Sequence, residues 1–223
     1  MFTIKAHLET AVRQYDANST DAVAKYGPIA GWNVSAITDM SHLFFGLNNF
    51  NADISSWDTS RVTSMRGMFF AEGSAFNQPL SFNTASVTDM NAMFRYAENF
   101  NQPLSLDTSS VTSMDDLFFL AKAFNQPLSF DTSSVTTMNN MFHYAETFNQ
   151  PLSFNTSSVT DMCFMFFSAS AFNQPLSFDT SHVTADMEVM FWSASAFNQP
   201  LSLDTSSVTD MESVFWVRCP RVP

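Results

Sequence analysis

Polar and apolar positions along this chain obey a rule that returns every 24 or 25 residues. The phrase Phe-Asn recurs at Phe50, Phe76, Phe100, Phe124, Phe148, Phe172 and Phe197, at intervals of 26, 24, 24, 24, 24 and 25 residues. A truncated copy, Tyr26 to Asn49, precedes them. Two different periods follow one another inside each copy. Leu80 and Phe82 alternate with Ser81, the period-two pattern of a short strand, and Pro79 just before them has no N–H to donate. Asp-Thr-Ser-Ser then reads as a turn, because these side chains bond nearby backbone groups. Met90, Met93, Phe94 and Ala97 fall at i, i+3, i+4 and i+7 behind Thr88 as N-cap, the spacing of a short helix. A period of this length predicts units that bury their apolar side only against their neighbours. The expectation is therefore an α/β repeat solenoid, a right-handed superhelix of about eight strand-turn-helix coils. These start near residues 27, 50, 76, 100, 124, 148, 172 and 197 and run to 217, with a tail at 218–223.

Residues 1–26 stand outside the repeat. Ile4, Leu8, Ala11 and Val12 predict one amphipathic helix, and Thr20 to Lys25 a second, with Ser19 or Thr20 as N-cap. They are expected to cap the first coil. At the other end Val214, Phe215 and Trp216 precede a tail with no covering helix, which predicts truncation, fraying or self-association there. Ile29-x-x-Trp32 and Ile54-x-x-Trp57 carry an extra residue and predict a bulged strand, and Ala185 is an insertion in the seventh coil.

Stacked copies turn sequence columns into ladders. Two Phe columns (through Phe124 and through Phe118) and a Met column (through Met114) are core. The Asn after the first Phe, from Asn51 to Asn198, recurs in every full copy and predicts a buried amide ladder that satisfies backbone groups between coils.

Composition narrows the function classes. Nine Lys and Arg against 21 Asp and Glu leave a net charge of −12. This excludes a nucleic-acid backbone and an anionic membrane surface as partners. No apolar run reaches the length of a membrane span, and the N-terminus lacks a secretory pattern. Cys163 and Cys219 have no metal-ligand or disulfide spacing. The histidines His7, His42, His143 and His182 fall in unrelated columns, and no phosphate loop or hydrolase motif is present. Asp107, Asp131, Asp179 and Asp204 share a column with Asn83 and Asn155; turn formation explains them better than calcium, which needs six or more oxygens. No catalytic residue, cofactor or metal is expected.

Two surfaces remain as binding candidates. One is the expected sheet face, with Gln102, Ser105, Gln126, Ser129, Gln150 and Ser153. The other is an aromatic stripe at Tyr96, Phe119, Tyr144, Phe167 and Trp192, continuous with Phe45, Phe70 and Trp216. Where Arg95 or His143 occupies the slot, the aromatic moves one place on, to Tyr96 or Tyr144. Exposed, such a stripe suits a sugar ring or a protein hot spot; packed between coils it is more core.

FNQPLSFDTSSVTDM followed by x-x-MF resembles the repeat of the BspA-type leucine-rich repeat surface proteins. Ala24 to Ile29, leading to Trp32 and Ile37-Thr38-Asp39-Met40, is similar to that family's usual start. The resemblance covers nearly the whole chain. It implies a leucine-rich-repeat-like solenoid, an extracellular or cell-surface location, and a non-catalytic role in adhesion or recognition of protein or glycan. A passive spacer is the alternative reading. Ice or crystal binding through hydroxyl columns such as Thr132, Ser133 and Ser134 ranks behind both.

Overall fold

The computed structural model describes residues 1–184, 187, 189–204 and 206–208. The Ala185 insertion, Met211, Phe215, Trp216, Cys219 and the expected uncapped end lie outside the described residues. Two helices open the chain, α1 (Lys5–Ala17) and α2 (Ser19–Tyr26). Leu8, Ala11 and Val12 of α1 are fully buried, as their spacing predicts. Ile4 is not on that face: it is the extended N-cap residue, half exposed, because the helix begins only after it. The cap of α2 is Asn18, whose Oδ1 accepts from the N–H groups of Thr20 and Asp21. Ser19 and Thr20 are already inside the helix, since the link between the helices is a single residue.

From Pro28 onward the chain departs from the expected α/β coils. After a 3-10 turn at Ile29–Gly31, no further helix and no strand forms among the described residues. The helical spacing is the more instructive failure. Met90, Met93, Phe94 and Ala97 are fully buried, yet Ala92 and Tyr96 between them have φ of 55° and 60°. The backbone closes three-residue steps, with Met93 N–H donating to Met90 (3.2 Å) and Ala97 N–H to Phe94 (3.0 Å). Positive φ at the third residue alone marks these as type II-like turns. The alternate N–H groups donate to the next copy: Ala92 to Asp115 (2.8 Å), Phe94 to Leu117 (3.0 Å) and Tyr96 to Phe119 (2.8 Å). An α-helix would keep all of these bonds within itself. Two successive turns bury the same four positions while freeing half the donors to join copies.

The period-two segment behaves likewise. Leu80 and Phe82 are buried and Ser81 exposed, but pairing is reduced to one parallel bridge, Leu80 to Leu104. Pro79 removes the preceding donor, and the next copy's Asn77 and Gln78 bond the side chain of Asn51 instead of a backbone carbonyl. The bulge expected near Trp32 and Trp57 is absent because there is no strand to bulge; the two indoles stack at 6.3 Å. A second line of isolated parallel bridges runs Asp39, Ser64, Asp89, Ser113, Thr137, Asp161. Beside it Thr63, Thr88, Thr112, Thr136, Thr160 and Thr184 each donate their N–H to the Thr of the copy before, at 2.8–3.2 Å.

Stacked copies share one apolar interior. Phe118 lies 4.2 Å from Phe124, which opens the next copy, and 5.7 Å from Phe142 within that copy, while Phe124 lies 6.0 Å from Phe148 in the copy after. Each buried Phe is worth about 1.5–3 kcal/mol by area, and ring pairing adds about 0.5–1.5 kcal/mol. At the N-terminal end α1 closes this interior. Tyr15 packs edge-on against Trp32 and Phe50, both at 6.2 Å.

Candidate functional site

The turns that replace the expected helix carry the aromatic residues to one side of the stack. Each sits one or two positions beyond a buried Phe, so the Phe points inward and its neighbour points out. Phe45 and Phe70 meet at 5.0 Å, Phe70 and Tyr96 at 5.4 Å, Tyr96 and Phe119 at 5.5 Å. His143 bridges Phe119 (4.6 Å) to Phe167 (4.5 Å), Tyr144 lies 5.6 Å from Phe167, and Phe167 lies 6.1 Å from Trp192. Tyr96, Phe119, Tyr144, Phe167 and Trp192 are thus brought into one continuous row. Most members are half-buried; Phe45 and Tyr144 are open, at 45% and 38% exposure.

Ring orientation determines what this row can offer. Phe70 and Tyr96 are nearly parallel (8°), as are Phe167 and Trp192 (5°), so one face of each ring covers its neighbour. Elsewhere along the row the rings meet obliquely: Phe45 edge-on to Phe70 (83°), Tyr96 tilted to Phe119 (47°) and Tyr144 edge-on to Phe167 (60°). The middle of the row is polar. The Arg95 guanidinium lies 4.2 Å over Phe119 and 5.4 Å from both Phe70 and Tyr96, and pairs with Asp116. Asp116 Oδ1 and Arg95 Nε are buried without a hydrogen-bond partner. Burial pushes the Asp116 carboxyl above its ordinary value, against the pull of Arg95. His143 Nδ1 sits 2.6 Å from Asn140 Oδ1. Burial, with Arg95 adding to it, lowers the imidazole to about 4, so it is neutral near pH 7. Asp116, Asn140 and Phe164 were not singled out in the sequence. Their columns hold Ala92 or Gly67 elsewhere, so only the change of residue type within a column could have flagged them.

The other candidate face is differently built. Gln102, Gln126 and Gln150 donate through Nε2 to the Asn Oδ1 of the preceding copy, at 3.2, 3.0 and 3.0 Å. That oxygen also accepts the next copy's Asn N–H, as Asn101 does from Asn125 at 3.0 Å. The amide ladder is therefore formed, but it is half-buried from Asn77 to Asn173 and exposed at Asn51 and Asn198, where full burial was expected. The reason is that the neighbouring Gln, and not the core, covers it. Ser105, Ser129 and Ser153 are exposed beside it.

The remaining polar columns are occupied internally. Asp107 Oδ1 accepts from both the hydroxyl and the N–H of Ser109, at 2.7 and 3.1 Å, and Asp131 does the same with Ser133. The Ser109 hydroxyl and then its N–H hold the Asp107 carboxyl below its usual range, as Ser133 does for Asp131. Thr132 is buried, its hydroxyl donating to Asn155 O at 2.9 Å, and Ser134 Oγ donates to Ser109 O. Among the described residues no three His, Cys, Asp or Glu side chains are grouped to hold a metal ion.

These features define a stacked-repeat protein whose copies are joined by backbone and amide ladders. The chain matches the family described as a Mycoplasma protein of unknown function, DUF285, over residues 7–129, 81–153 and 127–218, and belongs to it. No curated protein and no solved structure matches the chain.

Proposed function

We propose that this protein is a non-catalytic recognition module that binds a protein partner along the aromatic row. The observation that carries the reading is the unbroken contact from Phe45 to Trp192, partly open to solvent, with Arg95 and His143 set into it. Exposed aromatics beside a stacked Arg are the composition of a binding hot spot. The parallel pairs Phe70–Tyr96 and Phe167–Trp192 favour a protein over a glycan, because a sugar ring stacks on an open face. Kinship of this repeat family with BspA-type repeats supports a place at a cell surface. No helix among the described residues is long and apolar enough to cross a membrane.

The test is binding of the purified chain to immobilised extracellular proteins and to a glycan array, beside a Tyr144→Ala/Trp192→Ala variant. Selective protein binding that the variant loses is the expected result. Glycan binding would replace the partner class, binding kept by the variant would move the site to the Gln/Ser face, and no binding would favour a spacer.

A further inference from the structure

The run Asn-Gln-Pro-Leu-Ser occupies 77–81, 101–105, 125–129, 149–153, 173–177 and 198–202 without a single change. Elsewhere on the surface the copies have diverged. One slot of the aromatic row holds Arg95, Phe119, His143 and Phe167, and the slot of Glu98 holds Lys122 and Glu146. The Asn and Gln of the run are accounted for by the amide ladder, but Pro and Ser are not. Both are exposed in all six copies, and among the described residues no Ser hydroxyl of this column makes a hydrogen bond.

The ladder also leaves hydrogen-bonding capacity unspent. Each Oδ1 from Asn77 to Asn173 accepts two donors, whereas the Nδ2 groups of these Asn and the Oε1 atoms of Gln78 to Gln174 have no partner among the described residues. None of these atoms is buried, so all reach solvent. Donors (Nδ2, hydroxyl) and acceptors (Oε1, hydroxyl) thus stand side by side, which makes the face complementary to itself. Its interval is that of the copies, so a second molecule meets it rung for rung along its length. The Pro rings add apolar contact with no side-chain entropy to lose.

Charge points the same way. The chain carries −12, yet no residue of the six runs is charged; Asp107, Asp131, Asp179 and Asp204 stand exposed just beyond their Ser, at the margin. Two like-charged molecules repel least across such a face. Four outward residues in each of six copies make 24, within the roughly 20–30 a side of a stable interface.

We infer that the Asn-Gln-Pro-x-Ser face is a docking surface for a second copy of this chain, which pairs side by side with the first as a two-fold dimer. The inference does not rest on the aromatic row or on its partner.

The test is sedimentation equilibrium of the full chain over a range of concentrations, at low and at high salt. A reversible monomer–dimer equilibrium is expected, tightening as salt screens the repulsion between the two chains. Ser129→Asp/Ser153→Asp sets four carboxylates into the dimer face without removing a hydrogen bond. It should raise the dissociation constant by about tenfold or more at low salt, and Tyr144→Ala/Trp192→Ala should leave it at the parent value. In the unaltered chain, the side-chain amide signals of Gln102, Gln126 and Gln150 should shift with protein concentration. A monomer under all conditions, a dimer that weakens as salt rises, or Gln signals independent of concentration would each overturn the proposal. So would a dimer that survives Ser129→Asp/Ser153→Asp, or one lost in Tyr144→Ala/Trp192→Ala, since the contact would then lie at an end of the stack or on the aromatic row.

Discussion

Single residues carry two kinds of tension in this molecule. The first is backbone strain. Ala92, Asp116 and Asn140 hold φ near 55° in a column where Gly67 is the natural solution, and the ring of His42 fills the space beside Gly67. Left-handed backbone costs a residue with a Cβ about 1–2 kcal/mol. Ala92→Gly should therefore stabilise the chain by about 1 kcal/mol, net of the entropy that glycine returns to the unfolded state. A denaturation midpoint below that of the parent would argue against strain at this site. The second tension is His143. Its folded value of about 4 lies below the ordinary 6.5, so the neutral form is favoured in the fold. Its contribution is complete above about pH 6.5 and is lost as pH falls toward 4. His143→Phe, the residue type of Phe119 and Phe167 in that slot, should flatten the stability profile between pH 6.5 and 4. Parallel pH profiles for parent and variant would contradict the assignment. The depressed carboxyls of Asp107 and Asp131 contribute in full above their ordinary value, and that contribution is lost as pH falls through the depressed values and the carboxyls protonate.

At the scale of the element, the unit is a turn bonded to its equivalent in the next copy. Asn125 shows how much depends on one side chain: its Oδ1 accepts Asn149 N–H at 2.9 Å and Gln150 Nε2 at 3.0 Å. Asn125→Leu should cost roughly 1–3 kcal/mol by leaving both donors without that acceptor. An unchanged denaturation midpoint would show that water replaces the amide. The ladder itself was legible in the sequence, because a polar residue that recurs beside a core Phe has to be satisfied by something that recurs too. Its half-burial was not, since the covering Gln reads equally well as a solvated neighbour. The turns at Met90 to Ala97 are not legible in the sequence for a related reason. Apolar spacing of i, i+3, i+4 and i+7 records which side chains turn inward, not where the N–H groups of Ala92, Phe94 and Tyr96 go.

Over the whole molecule, stability is distributed among equivalent interfaces, as in any stack in which each unit touches only its neighbours. Excision of residues 124–147 joins Ala123 to Phe148 in register and recreates every rung. The shortened chain should fold cooperatively, with a denaturant slope reduced by roughly a tenth, the share of the 223 residues removed. Loss of cooperative unfolding would show that the copies are not interchangeable. The helical pair at the start is a different matter, because Leu8, Ala11, Val12 and Tyr15 cover Trp32 and Phe50.

The repeat length, the inward columns of Phe, Met, Val and Leu, the two opening helices and the alignment of aromatics into one row all follow from the sequence. Each is a statement about which residues share an environment, and periodicity records that directly. Three things were decided only by the tertiary structure: turns in place of helix and strand, the parallel pairing of Phe70 with Tyr96 and of Phe167 with Trp192, and the placing of Asp16 at a helix end beside Asn49 and Asn51. These depend on the destination of backbone donors and on contacts between residues 20 or more positions apart. Side-chain polarity along the chain does not encode either one, because the same inward pattern is compatible with bonds made within a copy or between copies.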